Sequence, residues 1–232
     1  MTNGDKDKTS IYRDIKGIIW DLDNTLYRAH AELHEAYHLA TARVAVRDGV
    51  EQSMDVALAK AKKSYEESEF SGRFLIREHG YDVPRLHFEL HEMIDETAIV
   101  KSREVTDLFR QLGLKNALVT HGSQGWAHRV LTHLDLIEFF DHDAILSLES
   151  FDFQRKNESG AGVEMALGQL NMKPTDVIMA EDIFYNLEIP HKSGMFTTFI
   201  HHGQPPEDIP NYVDESYNSA LDLLSEIADS RA

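Results

Sequence analysis

Cysteine is absent from the chain, which excludes disulfides, thiolate nucleophiles and zinc–thiolate sites. Positive charge is scarce: 23 Lys and Arg stand against 40 Asp and Glu, a formal net charge of −17. A surface that acidic repels phosphate backbones and anionic bilayers, so neither nucleic acid nor membrane is expected as a partner. It also repels small anions at long range, so an anionic substrate needs a local cation, either a metal or well-placed Lys and Arg. No apolar run approaches the roughly 20 residues of a transmembrane helix. The opening MTNGDKDKTS is polar and no apolar stretch follows it, so it is not read as a secretory signal and the expected location is cytoplasmic. Internal repeats, low-complexity segments and a G-K-[ST] phosphate loop are lacking as well.

What is present suits a globular fold. The 232 residues can bury a sizeable core, as one domain with an insertion or as two small domains. Residues Met1–Ser10 read as a disordered tail. Gly17-Ile18-Ile19-Trp20 is a short apolar run that reads as a buried strand ending at Asp21. From Ala29 to Ala98 the period becomes helical: Leu33, Tyr37, Ala40 and Val44 share one face, as do Met54, Leu58, Ala61 and Tyr65. Beyond it, helices and strands alternate. Ser102–Leu112, Gln124–Leu134, Ser159–Leu170, Tyr185–Ser193 and Ser219–Ile227 read as helices. Asn116–Thr120, Asp143–Ser147, Val177–Ala180 and Thr197–Ile200 read as strands. The pattern predicts an α/β fold, a doubly wound parallel sheet with an all-helical insertion after its first strand.

In such a sheet ligands bind at the carboxyl ends of the strands. Those ends carry Asp21-Leu22-Asp23-Asn24-Thr25, Thr120-His121-Gly122-Ser123 and Glu181-Asp182. Several carboxylates in one crevice repel one another, and a hard cation resolves the repulsion. Magnesium, which takes one or two carboxylates, a carbonyl and waters, is the expected cofactor.

Asp21-Leu22-Asp23-Asn24-Thr25-Leu26-Tyr27 resembles the D-x-D-x-T signature of the haloacid-dehalogenase-like superfamily. Thr120 at a strand end, Lys156 before a helix and Glu181-Asp182 after a strand resemble its other three signatures, in the same order. Within the superfamily the chain is similar to the pyrimidine 5'-nucleotidase-like branch. The stretches that carry this are Asp21–Tyr27, His128-Arg129-Val130-Leu131, Phe140-Asp141, Asn186–Met195 and the segment from His79 to His91. Three places differ. His121 stands for Asn, Asn157 stands for Pro, and Ser71-Gly72-Arg73-Phe74 replaces a stretch of the cap.

The resemblance implies a core domain of residues 1–27 and 99–232 and a cap domain of residues 28–98. It implies a phosphomonoesterase in which Asp21 is the nucleophile and Asp23 the acid and base. Magnesium would be held by Asp21, the Asp23 carbonyl and Asp182, with Glu181 behind them. Phosphate oxygens would be held by Thr120, backbone N–H groups at His121 and Gly122, and Lys156. Dehalogenases lack an acid at the Asp23 position, because halide leaves without a proton. The implied substrate is a small phosphorylated molecule, a nucleoside 5'-monophosphate with pyrimidines preferred, recognised through Tyr27, Arg28, Arg73 and Phe74. A small sugar phosphate, phosphoglycolate or a phosphomutase reaction is the alternative within the superfamily. No oligomeric state is implied.

The cap is expected to close over the site, excluding water while admitting substrate. Limited proteolysis near its two ends should then slow when fluoroberyllate and magnesium are bound, and equal rates with and without the mimic would count against closure.

Other patterns compete with this reading. His121-Gly122-Ser123-Gln124-Gly125 is a near miss of the serine-hydrolase elbow, which would make Ser123 a nucleophile with Asp182 supporting a histidine, but it leaves Asp21 and Asp23 unexplained. His30, His34 and His38 could share a helix face as zinc ligands, although a chance stripe is the better reading in a chain with 13 histidines. Gly160-Ala161-Gly162 opens a GxGxxG-like run, but Met165 stands at the third glycine.

Overall fold

The computed structural model describes residues 8–68 and 70–232. The chain divides into two compact units, one of residues through Arg28 together with Val100–Ala232, the other Ala29–Ile99.

The first unit is built on six parallel strands in the order β3-β2-β1-β4-β5-β6. They are β1 (Gly17–Trp20), β2 (Lys115–Val119), β3 (Phe140–Leu146), β4 (Val177–Glu181), β5 (Phe196–Ile200) and β6 (Glu215–Tyr217). β1 lies between β2 and β4, so the chain winds one way from β1 and then the other. The crevice at that reversal is where such sheets bind ligands. All four residues of β1 are buried, as expected of a strand covered on both faces. Ile19, Ala117, Val119, Val177 and Met179 join one apolar cluster with Val163, Ala166 and Leu170, which lie on α8 (Ala161–Leu170). On the opposite face Trp20 stacks at 5.5 Å on Phe109 of α6 (Arg103–Leu112). The Trp20 indole donates to Asn116 Oδ1 at 3.0 Å, which satisfies its one polar atom.

Gly162 has a packing reason. A Cβ there would come within 2.8 Å of Val119 Cγ1, so the glycine lets α8 approach β2. The GxGxxG-like run is a close helix–sheet contact.

The sequence reading misses two elements. Lys8–Ser10 of the expected tail belong to α1 (Lys8–Asp14), anchored by the buried Tyr12, while residues 1–7 of that expectation lie outside the described residues. β6 was not foreseen. β3 also begins at Phe140, before the expected Asp143, because Asp141, His142 and Asp143 are exposed and hide the strand.

The second unit holds α2 (Ala31–Arg47), α3 (Met54–Ser68), α4 (Arg73–His79) and α5 (Val83–Glu92), and its described residues form no strand. Its core gathers Ala40, Val44, Ala57, Ala61, Phe74, Leu75, Leu86 and Leu90. Asp82 caps α5 by accepting from the Arg85 N–H at 2.9 Å. His30 precedes α2, His34 approaches Tyr65, and His38 is buried with Nδ1 2.8 Å from Ser71 Oγ. Among the described residues these histidines form no group able to hold a metal.

Candidate active site

The chain leaves β1 into a tight turn. Asn24 takes a left-handed conformation with φ 61°, which asparagine tolerates better than most residues. The turn brings Thr25 back, so that its hydroxyl donates to Asp21 Oδ2 at 3.0 Å. That hydrogen bond is a role for the signature's threonine that the sequence reading left unstated.

Asp21 is buried, and so is Lys156, which comes from the loop ahead of α8. The Lys156 ammonium has three N–H groups, and they meet Asp21 Oδ1 at 2.6 Å, Glu181 Oε1 at 2.5 Å and Val119 O at 3.3 Å. The Lys156 backbone N–H donates to His121 Nε2 at 3.0 Å. The imidazole that stands in for asparagine therefore ties the loop after β2 to the loop that carries Lys156.

Glu181 Oε1 also accepts from Asn186 Nδ2 at 2.6 Å, and Oε2 accepts from the Ile183 N–H at 2.7 Å. Its position is fixed by three donors on two segments, the Lys156 loop and the stretch after β4. Buried Asn186 thereby orients this carboxylate. Asp182 accepts from Asn24 Nδ2 at 2.8 Å, which links the turn after β1 to the end of β4.

Asp21, Glu181 and Asp182 each offer a carboxylate oxygen, all within 4.8 Å of one another. Burial drives the Asp21 carboxyl up from 3.8 to about 7, opposed by the Lys156 charge and reinforced by Glu181 and Asp23. Asp182 is raised well above the usual carboxylate range, first by burial and then by Glu181 and Asp21. Lys156 is raised as well, from an opposite balance of causes. Burial alone would lower it, but Asp21 and Glu181 outweigh that and raise it. Three carboxylates thus crowd together, two of them paired with the Lys156 ammonium. A donor set of oxygens with excess negative charge could hold a hard divalent cation such as magnesium.

A carboxyl raised in the folded state subtracts stability above its unfolded value, and the loss grows until pH passes the folded value. Without metal, Asp21 costs stability progressively from about pH 4 to 7. Protons and metal compete for these carboxylates. Magnesium at about 100 times its dissociation constant should add about 2.7 kcal/mol, or a Tm rise of roughly 5–10 °C, at pH 8. At pH 5.5 the rise should be much smaller. An equal rise at both values in a melting series would remove the competition argument.

Thr120, at the end of β2, is buried, and its Oγ1 accepts from the Gly122 N–H at 2.9 Å. This fixes the hydroxyl oxygen and leaves its proton to point elsewhere. It also engages one of the backbone donors expected to reach phosphate. A Cβ on Gly122 would come within 2.9 Å of Trp126 Cδ1, so the loop needs glycine there. Ser123 is buried and caps α7 (Gln124–His133), its Oγ accepting from the Trp126 N–H at 3.2 Å. It is a helix cap and not an exposed nucleophile, which removes the esterase reading.

Of the residues expected to recognise substrate, Tyr27 and Arg28 belong to the α/β unit, and Arg73 and Phe74 to the helical unit. Tyr27 lies in the α/β unit and is buried, and its hydroxyl donates to Asp23 Oδ1 at 2.5 Å. Phe74 is buried in the helical unit's own apolar core. Arg28 is exposed and Arg73 half-buried. Asp23 is half-exposed and also accepts from Trp126 Nε1 at 2.8 Å.

Residues 15–193 match the haloacid dehalogenase-like hydrolase family, and the chain belongs to that family. The match is to the family as a whole and selects no branch within it. No curated protein matches the chain. Solved structures share the fold, three among them as follows. CbbY from Rhodobacter sphaeroides, in complex with phosphate, is 18% identical with a TM-score of 0.68, over 92% of this chain and 99% of that one. YfnB from Bacillus subtilis, bound to magnesium, is 16% identical with a TM-score of 0.59, over 92% and 98%. A 2-haloacid dehalogenase from Pseudomonas syringae pv. tomato is 15% identical with a TM-score of 0.59, over 93% and 99%. One fold serves several chemistries here, so the reaction has to be argued from the site.

Proposed function

We propose that this chain is a magnesium-dependent phosphomonoesterase acting through an aspartyl phosphate, with nucleoside 5'-monophosphates, pyrimidines preferred, as substrates. The observation that carries the reaction type is the buried Asp21–Lys156–Glu181 network with Asp182 beside it and a second acid, Asp23, two residues on.

Asp21 attacks phosphorus while Asp23 gives a proton to the departing oxygen. Water then attacks the aspartyl phosphate and Asp23 takes its proton back. Lys156 offsets the negative charge, and the Thr120 hydroxyl and loop N–H groups hold phosphate oxygens. Magnesium, held by Asp21, the Asp23 carbonyl and Asp182, would supply charge neutralisation at the phosphoryl group. Ala29–Ile99 serves as the cap, and the site of action is cytoplasmic.

The nucleotide assignment rests on the resemblance of Asp21–Tyr27, His128–Leu131 and Asn186–Met195 to the nucleotidase branch. A small sugar phosphate, phosphoglycolate or a phosphomutase reaction is the second reading. It is favoured by one observation: Tyr27 and Phe74, the two aromatics expected to stack a base, are engaged elsewhere. The deciding measurement is kcat/KM for uridine and cytidine monophosphates against sugar phosphates, phosphoglycolate and an aryl phosphate. At least about a tenfold preference for the nucleotides, or 1.4 kcal/mol, is expected. No preference over the aryl phosphate sinks the nucleotidase assignment, and turnover that needs a bisphosphate activator with little free phosphate points to a mutase. Full activity in excess chelator would end the metal-dependent reading altogether.

A further inference from the structure

We infer that Tyr27 and Trp126 are positioning residues that clamp the Asp23 carboxyl by one oxygen, so that the other, Oδ2, exchanges the proton with the leaving group. This rests on the phosphatase reading above. Two donors from different parts of the chain converge on one atom. Tyr27 OH lies 2.5 Å from Asp23 Oδ1, and Trp126 Nε1 lies 2.8 Å from the same oxygen. Both side chains are buried, Tyr27 at 5% and Trp126 at 0% exposure, so neither donor can swing freely to solvent. Asp23 itself is only half-buried and would otherwise sample several rotamers on a turn.

The second oxygen faces the loop that would hold phosphate. A Cβ built on Gly122 would lie 3.5 Å from Asp23 Oδ2 and 3.3 Å from Thr120 Oγ1. Oδ2 is therefore turned toward the Thr120–Gly122 loop, while Oδ1 is turned into the two donors. A carboxyl held this way offers its proton from one oxygen in one direction. In the first step the Asp21 oxygen–phosphorus bond forms, the phosphorus–ester oxygen bond breaks, and the proton on Asp23 Oδ2 passes to the ester oxygen. In the second, the water oxygen–phosphorus bond forms, the Asp21 oxygen–phosphorus bond breaks, and a water proton passes to Oδ2. Both steps need Oδ2 within hydrogen-bond reach of the moving proton, and general acid–base catalysis depends first on that geometry.

Tyr27→Phe removes one oxygen and keeps the ring. Trp126→Phe removes the other donor at the cost of a smaller ring. Rates are measured on aryl and alkyl phosphates whose leaving groups range from nitrophenol to a simple alcohol. An alcohol needs the proton most, so the clamp predicts a loss of kcat that grows along the series. For Tyr27→Phe the loss on an alkyl phosphate should exceed that on 4-nitrophenyl phosphate by about tenfold, the difference residing in kcat and not KM. Equal losses on every ester, or none on the alkyl ester, would overturn the clamp while leaving the phosphatase reading intact. A wild-type protein that releases no phosphate from any ester would sink that reading and the proton-transfer role with it. The contact has its own readout. The chain has two tryptophans, and the indole N–H resonance of Trp126 should move in Asp23→Ala while that of Trp20, bonded to Asn116, stays. An unmoved Trp126 resonance would show that the contact does not exist in solution.

Discussion

Asp21→Asn is expected to lower kcat by about four orders of magnitude or more, the scale of loss when a nucleophile is removed from a group that acts as a unit. An amide cannot form the acyl phosphate, and nothing else in the network replaces it. Lys156 is a cation and Glu181 is held by Lys156, Asn186 and Ile183 N–H. The same change should leave the fold intact. Asparagine has the shape of aspartate and keeps one oxygen for Lys156, while its amide nitrogen takes the Oδ2 place, where the Thr25 hydroxyl can turn to accept. It also removes a carboxylate that burial disfavours, as the rise of Asp21 to about 7 reflects. Because a raised carboxyl subtracts stability above its unfolded value, the metal-free variant should melt no lower than wild type at pH 8. The advantage should shrink toward pH 5. Magnesium should reverse the order, since only the wild type keeps that ligand. Steady-state kinetics on an aryl phosphate and melting curves with and without magnesium decide it. Wild-type rates in the variant would mean that the buried network is structural.

The doubly wound sheet was legible because its strands are short apolar runs with helical periods between them. The buried GIIW of β1 and the alternation after residue 100 suffice for an α/β order. What escaped was polar or edge-placed. β6 is a three-residue strand of half-buried residues, Glu215, Ser216 and Tyr217, with no apolar period to announce it. Asp141-His142-Asp143 conceals the start of β3, next to a register shift against β2. At the site, the gathering of Asp21, Lys156, Glu181 and Asp182 could be foreseen because each follows a strand or precedes a helix in a known order. The hydrogen bonds that orient them could not. Tyr27 looked like a stacking aromatic, and its hydroxyl instead serves Asp23. Trp126, six residues past Thr120, carried no signal at all. Its partner is 103 residues away, a distance that only the folded sheet brings to 2.8 Å. Nor does periodicity disclose that His121 accepts from the Lys156 backbone.

Lys156→Ala is expected to damage both rate and stability. The ammonium pairs with two buried carboxylates, and its attraction for phosphoryl oxygens is greatest as charge develops in the transition state. Removing a comparable preorganised donor costs about 10²–10³ in kcat, and the loss should fall on kcat more than on KM. Stability should drop by about 3–5 kcal/mol, because Asp21 and Glu181 are left buried without their partner, which lowers Tm by roughly 6–20 °C in a chain of this size. The pH dependence separates this from a simple cavity. Lys156 is raised above its usual value, so its contribution is complete below pH 10.5 and is lost only above the folded value. In the variant the Asp21 carboxylate, already raised by burial, can escape by protonation as pH falls. The Tm gap between wild type and variant should therefore be wide at pH 8 and narrow toward pH 5, whereas a cavity would give a constant gap. Coupling gives a second check. Adding Asp21→Asn to Lys156→Ala removes one of the stranded charges, so the double variant should melt above Lys156→Ala alone, a departure from additivity expected of residues in direct contact. A small rise in KM with unchanged kcat and Tm would instead make Lys156 a bystander. Arg155, whose guanidinium lies 3.4 Å from the Tyr185 hydroxyl, would then be the next cation to test.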